Sequence, residues 1–314
     1  MTVAFVFPGQ GSQAVGMGRA LAEAFPAARA VFDEVDAALS QKLSALMWEG
    51  PEAELTLTAN AQPALLAVSM AVLAALKSEQ GIGVAGTATY VAGHSLGEYS
   101  ALAAAGTFSI ADAARLLRIR GNAMQTATPV GVGAMAAILA LDFSDVAAIA
   151  IDAAQDEVCQ VANDNSSGQV VISGHKAAID RACELAKARG AKRAILLPVS
   201  APFHCALMQP AANAMAEALQ NVLMQSPSVP LVANVLAAPI SDAREIRKRL
   251  VEQVTGTVRW RECVGFMASH GVSVFCEVGA GKVLTGLLKK NASEVQGLSI
   301  GQPDDIAAAA AVLK

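Results

Sequence analysis

The stretch Thr89-Tyr90-Val91-Ala92-Gly93-His94-Ser95-Leu96-Gly97 runs from β-favouring apolar residues through a Gly-x-Ser-x-Gly turn into an alanine-rich segment ending near Gly106. The pattern predicts a short buried strand, a tight turn and a helix, in that order. That is the setting of a nucleophile elbow, which lifts a serine hydroxyl at the C-terminal end of a parallel sheet. The flanking glycines permit the turn. The Leu96 N–H, at the start of the helix, would face a reacting carbonyl there. The five letters alone are a modest signal, with about 0.1 chance matches in a chain of this size. A Gly-Ser turn that only caps a helix reads the same way. The strand before and the helix after favour the elbow.

A serine nucleophile needs a base. The chain has only four histidines, so the choice can be made by elimination. His94 adjoins Ser95, and its side chain should leave the turn in another direction. His175 follows Ser173-Gly174 at a predicted helix start. His270 precedes Gly271 at a predicted helix C-terminus, where a cation suits the dipole. His204 remains, in Ser200-Ala201-Pro202-Phe203-His204-Cys205, just after the last strand of a distinct middle segment. It is expected at a domain junction and is the candidate base. Cys205 reads as a small buried thiol, because adjacent side chains diverge.

The middle segment has its own order. Met135–Leu141 reads as a strand and Phe143–Ala154 as a helix. Val158–Ala162 and Gln169–Ser173 read as strands joined by a polar turn over 163–168. Ala177–Arg189 reads as a helix and Arg193–Val199 as a strand. This β-α-β-β-α-β order is ferredoxin-like. The expectation is an α/β protein. A large α/β core with a mainly parallel sheet would occupy 1–127 and 200–314, with a ferredoxin-like subdomain inserted at 128–199. In the core, Val3–Phe7 and Val274–Val278 read as strands, the latter as the last clear one. A helix is expected to open at Pro63 and run to about Lys77.

Composition narrows the function classes. With 54% hydrophobic and 16% charged residues, the 314-residue chain is globular and long enough for a large core. Aromatics are 4% and the net charge is −4, which argues against a nucleic-acid partner. The uncharged run from Leu55 to Leu76 is broken by Asn60, Gln62 and Pro63 and reads as a buried helix, so no membrane association is expected. The first residues lead directly from a strand into Pro8-Gly9-Gln10-Gly11 and do not read as a signal peptide. Five scattered cysteines without a CxxC pair suggest neither disulfides nor zinc, and fit a cytoplasmic protein. No metal-spaced cluster appears. Gly279-Ala280-Gly281-Lys282 lacks the remaining residues of a phosphate loop.

Several motifs together carry a resemblance. They are Phe7-Pro8-Gly9-Gln10-Gly11-Ser12-Gln13, Ala61-Gln62-Pro63-Ala64-Leu65, Gly93-His94-Ser95-Leu96-Gly97-Glu98-Tyr99, Val161-Ala162-Asn163, Val171-Ile172-Ser173-Gly174 and Glu277-Val278-Gly279. In this order, from residue 1 to about 290, they resemble the malonyl-CoA:acyl carrier protein transacylase family, which implies a hydrolase-like core with a ferredoxin-like insert, in agreement with the element order above. The resemblance implies an acyltransferase that moves malonyl from malonyl-CoA to the phosphopantetheine thiol of an acyl carrier protein, for fatty-acid or polyketide synthesis. It implies Ser95 as nucleophile and His204 as base. It also implies the backbone N–H groups of Gln10 and Leu96 as oxyanion hole, and Arg120 as the grip on the malonyl carboxylate. Gln253 is the implied counterpart of the residue that orients the histidine. A monomer with no cofactor is the family default. Thr257 and Ser167 stand where the family often has proline.

Two other functions compete. A serine esterase would share the elbow but calls for an acid between Ser95 and His204. The aspartates there, such as Asp142 and Asp164, fall in the inserted segment. A non-catalytic carrier-docking module would have no need of Ser95, His204 and the Gly-Gln-Gly turn together. An acidic chain that docks an acidic carrier also calls for a local basic patch, for which Lys187, Arg189, Lys192, Arg193, Lys282, Lys289 and Lys290 are candidates.

Overall fold

The computed structural model describes residues 1–314. Its strands are β1 (Val3–Phe7), β2 (Ala88–Gly93), β3 (Gly133–Leu139), β4 (Cys159–Ser166), β5 (Gln169–His175), β6 (Arg193–Leu196), β7 (Leu231–Ala233), β8 (Ala238–Ile240), β9 (Val274–Val278) and β10 (Gln296–Ile300). They form a six-stranded sheet in the order β10-β9-β1-β2-β7-β8 and a four-stranded sheet in the order β4-β5-β3-β6. In the large sheet every pairing is parallel except β7 with β8. The small sheet is antiparallel throughout. Its helices, Phe143–Ala154 and Lys176–Ala188, fall between its strands in the ferredoxin-like order.

β1 shows why the large sheet forms. All five of its residues are buried. Val3, Phe5 and Phe7 point into one apolar cluster, and Ala4 and Val6 into another on the opposite face. A strand buried on both faces needs a continuous apolar run, which is how parallel sheets under two helical layers read. The first cluster also holds Met135, Ala162, Val171 and Phe203, so the small sheet packs against the large core. A separate 15-residue cluster, drawn only from residues 136–186, fills the small sheet beneath its own helices.

The structure alters several local expectations. The apolar helix starts at Thr58, not Pro63, and reaches Gln80. Pro63 lies in its second turn, where only the Ala59 carbonyl loses an intrahelical donor. At 23 residues its length no longer argues against a membrane span, but 15 of those residues are buried inside the fold. β4 runs on to Ser166, through residues expected as a turn, leaving only Ser167-Gly168 between the strands. Two of these polar side chains have partners across the sheet junction, and the Asn163 backbone bridges to Val258 there. Asp164 accepts from Arg261 Nε at 2.9 Å, and Asn165 Oδ1 lies 2.8 Å from His94 Nε2. Thr257 donates its hydroxyl to the Val161 carbonyl at 2.7 Å, a tie that proline there would lack. β10 follows β9 as an edge strand. Its start, Gln296-Gly297, is exposed and has no alternation to read.

Candidate active site

β1 and β2 end level, with Phe7 paired to Gly93. The loops that leave them are therefore neighbours, and Gln10 comes to lie beside Ser95. The turn after β2 is tighter than its glycines alone explain. Ser95 itself takes the left-handed conformation, with φ 54°. The glycines serve close approach. A Cβ on Gly97 would sit 2.3 Å from the Phe7 carbonyl oxygen, and one on Gly93 1.9 Å from the Gly97 carbonyl carbon. Asn234, just past β7, clamps the turn from both sides. Its Oδ1 accepts from the Ser95 N–H at 2.9 Å, and its Nδ2 donates to the Gly93 carbonyl at 2.8 Å.

His204 reaches Ser95 from the segment that returns from the small sheet. Its Nε2 lies 2.7 Å from Ser95 Oγ, and its Nδ1 lies 2.9 Å from the backbone carbonyl of Gln253. A carbonyl only accepts, so the proton sits on Nδ1 and the Nε2 lone pair faces the hydroxyl. Burial, and after it the charge of Arg120, pushes the imidazole down to about 3. It is neutral at physiological pH. The other histidines play no such part: His94 is held by Asn165, His175 accepts from the Val158 N–H, and His270 caps a surface helix. The Cys205 thiol donates to the Pro202 carbonyl, and burial pushes its pKa up.

Arg120, on the helix Ile110–Thr126, is 1% exposed. Its guanidinium donates to Gln62 Oε1 at 2.9 Å, Gln253 Oε1 at 2.9 Å and Ser95 Oγ at 3.2 Å. All three acceptors are neutral. The Tyr99 ring, with its centroid 5.8 Å away, covers another side. Gln62 is held in turn by Thr58, whose hydroxyl donates to Gln10 Oε1 at 2.9 Å, so one hydrogen-bonded chain fixes the Gln10 loop and the arginine together. The backbone N–H groups of Gln10 and Leu96 donate to no protein atom. Both residues line the cavity that holds Ser95, His204 and Arg120. Its volume is about 330 Å³, and Met135, Leu197 and Val199 of the small-sheet segment close its far wall.

Ser95, His204, Gln10, Leu96 and Arg120 thus converge on one cavity, and Gln253 lies behind it, bonded to Arg120, to His204 and to the Ser95 carbonyl. Three further residues around it were not singled out from the sequence. Gln62 and Glu98 lie within quoted motifs but carry no signal of their role. Asn234 has none at all, being an asparagine after a three-residue strand. Glu98 is 1% exposed and accepts from the Asn234 backbone N–H and from Gln253 Nε2. Burial pushes its carboxyl up to about 8, against the pull of those two donors and of Arg120.

A hydroxyl under a neutral imidazole, facing two free N–H groups, suits acyl transfer through a serine ester. The comparisons agree on that class: the family described as "Acyl transferase domain" matches residues 4–308. A malonyl CoA-acyl carrier protein transacylase of Bacillus subtilis (strain 168) is 46% identical over 313 residues, covering 99% of this chain and 97% of the relative. The crystal structure of an acyl-carrier-protein-S-malonyltransferase from Bartonella henselae superposes with a TM-score of 0.98 at 57% identity, covering 100% of this chain and 99% of that one. A malonyl-transacylase solved in complex with a type II PKS acyl-carrier protein superposes with a TM-score of 0.96 at 42% identity, covering 99% and 100%. The chain belongs to the malonyl CoA-acyl carrier protein transacylase family of acyltransferases.

Proposed function

We propose that the chain transfers malonyl from malonyl-CoA to the phosphopantetheine thiol of an acyl carrier protein through an ester on Ser95. The observation that carries the choice of acyl group is Arg120, a buried cation with only neutral partners, 3.2 Å from the Ser95 hydroxyl. In malonyl a single methylene separates the carboxylate from the thioester carbonyl. A cation so close to the nucleophile matches that spacing and supplies the charge that a buried carboxylate needs.

In the first half-reaction His204 Nε2 takes the Ser95 proton as Oγ attacks the thioester carbonyl. The Gln10 and Leu96 N–H groups receive the developing oxyanion. The C–S bond breaks, and the CoA thiolate takes the proton from His204. In the second, the carrier thiol gives its proton to His204 and attacks the ester. The C–O bond breaks, and Ser95 recovers the proton. The esterase alternative finds no support at His204, whose Nδ1 faces a backbone carbonyl and not a carboxylate.

The reading includes a division at 127/128 and 199/200, a monomer, a cytoplasmic location, and no nucleic-acid or membrane partner. It covers fatty-acid and polyketide carriers alike. Radiolabelled malonyl-CoA should leave one alkali-labile label per chain, mapped to Ser95 by peptide analysis. Ser95→Ala should abolish both label and transfer. A malonyl ester on another residue of that variant would refute the mechanism.

A further inference from the structure

We infer that Glu98 is a positioning residue that holds the serine turn and the arginine grip in register, and that the malonyl preference depends on it. The inference deepens the reading above and rests on it. Glu98 does not line the cavity and is 1% exposed, and each of its oxygens has a different task. Oε1 accepts from the backbone N–H of Asn234, whose side chain clamps the Ser95 turn. Oε2 accepts from Gln253 Nε2, which also donates to the Ser95 carbonyl at 2.9 Å. The Gln253 amide is thereby polarised one way. Its nitrogen points at Glu98 and the Ser95 carbonyl, and its Oε1 points at Arg120.

Both oxygens face donors, so the serving form is the carboxylate, and the two acyl groups are compared above pH 8, where the proton that burial favours has left Glu98. Glutamine at 98 has the same shape, but must present its NH₂ either to the Asn234 N–H or to the Gln253 NH₂. The first meets a donor under the serine turn. The second turns the Gln253 amide over and sets its NH₂ against the guanidinium. A buried donor facing a donor is costly, and the nearby groups move to escape it. Because the Gln253 amide touches Arg120 directly, the damage should fall mainly on the substrate that uses Arg120.

The test is the ratio of kcat/KM for malonyl-CoA to that for acetyl-CoA, each with carrier protein as acceptor, together with Tm. The wild-type ratio is measured first, and its absence would sink the functional reading itself. Glu98→Gln should lower the ratio by about 10- to 100-fold, as for loss of a buried hydrogen bond to a charged group. Should that variant fail to fold, Gln253→Ala gives the same readout. It removes the amide relay but keeps the backbone carbonyl that holds His204, so malonyl transfer should fall further than acetyl transfer and the ratio should drop similarly. A ratio unmoved in Gln253→Ala, or both substrates falling alike in a folded Glu98→Gln, would overturn the role assigned to Glu98.

Discussion

Arg120 keeps its positive charge out of water among two amides and a hydroxyl, beneath an aromatic ring. Removing the guanidinium leaves an entering carboxylate buried and unpaired, which costs roughly 2–5 kcal/mol. Arg120→Ala should therefore lower kcat/KM for malonyl-CoA by about 30- to several-thousand-fold. Acetyl transfer should persist, because a methyl group never used the cation. Arg120→Lys should rescue only in part, having lost the fork. Equal losses for both acyl groups, in parallel steady-state assays, would make Arg120 structural. The same charge is the second cause of the low His204 pKa, after burial. A base whose folded pKa is lowered stays unprotonated, and active, until the pH falls well below 6.5. With acetyl-CoA, which does not use the arginine grip that Glu98 supports, the kcat/KM profile should accordingly be flat on its acid side from pH 8 to about 5. In Arg120→Ala, assayed with acetyl-CoA, the acid limb should move upward toward 6.5. A wild-type limb centred near 6.5 would contradict the buried, neutral imidazole. At this scale Ser95 and His204 were legible in the sequence, one from its turn and one by elimination among four histidines. Asn234 and Glu98 were not, because their work is hydrogen bonding across 136 positions of chain, which leaves no local pattern.

The elbow shows what an element can and cannot reveal. Gly-x-Ser-x-Gly announced a tight turn, but the glycines' use appears only when β1 is laid beside β2. The left-handed residue is Ser95, while Gly97 exists to let the Phe7 carbonyl pass. Gly97→Ala would place a methyl 2.3 Å from that oxygen, where backbone must move. The variant should lose several kcal/mol of stability, on the order of 2–4, and most of its activity. Chemical denaturation followed by circular dichroism would register it. A variant of native stability would mean that the two strand ends can part freely. β4 teaches the converse. Asn163-Asp164-Asn165 looks like turn chemistry, and locally it is. The strand persists because Arg261, His94 and Val258, outside the small sheet, supply partners for its polar groups. Long-range pairing overrode local preference there.

Across the whole molecule, charge decides how an acidic chain meets an acidic carrier. Of the expected basic patch, Lys187 and Arg189 are engaged in exposed ion pairs with Glu184 and Asp152. Lys192 and Arg193, at the start of β6, are exposed and form no ion pair, as are Lys282, Lys289 and Lys290. Gly281, beside Lys282, packs on Ser12 of the loop that follows β1. Charge reversal at these five should raise KM for the carrier and leave that for malonyl-CoA nearly unchanged, with added salt acting the same way. Steady-state kinetics with each substrate varied in turn would check it, and equal effects on both would count against docking there. The cavity itself lies where two sheets meet, and that seam is stitched by Asp164 to Arg261, Asn165 to His94, Asn291 to the Asn165 carbonyl and Thr257 to the Val161 carbonyl. Such a seam ties the two sheets at four points beside the cavity. The gap between them acts as a gauge: it admits a slender flexible tether whatever bulk trails behind. CoA and a carrier protein end in the same phosphopantetheine arm, so a nucleotide and a folded domain can take turns at one serine through one opening.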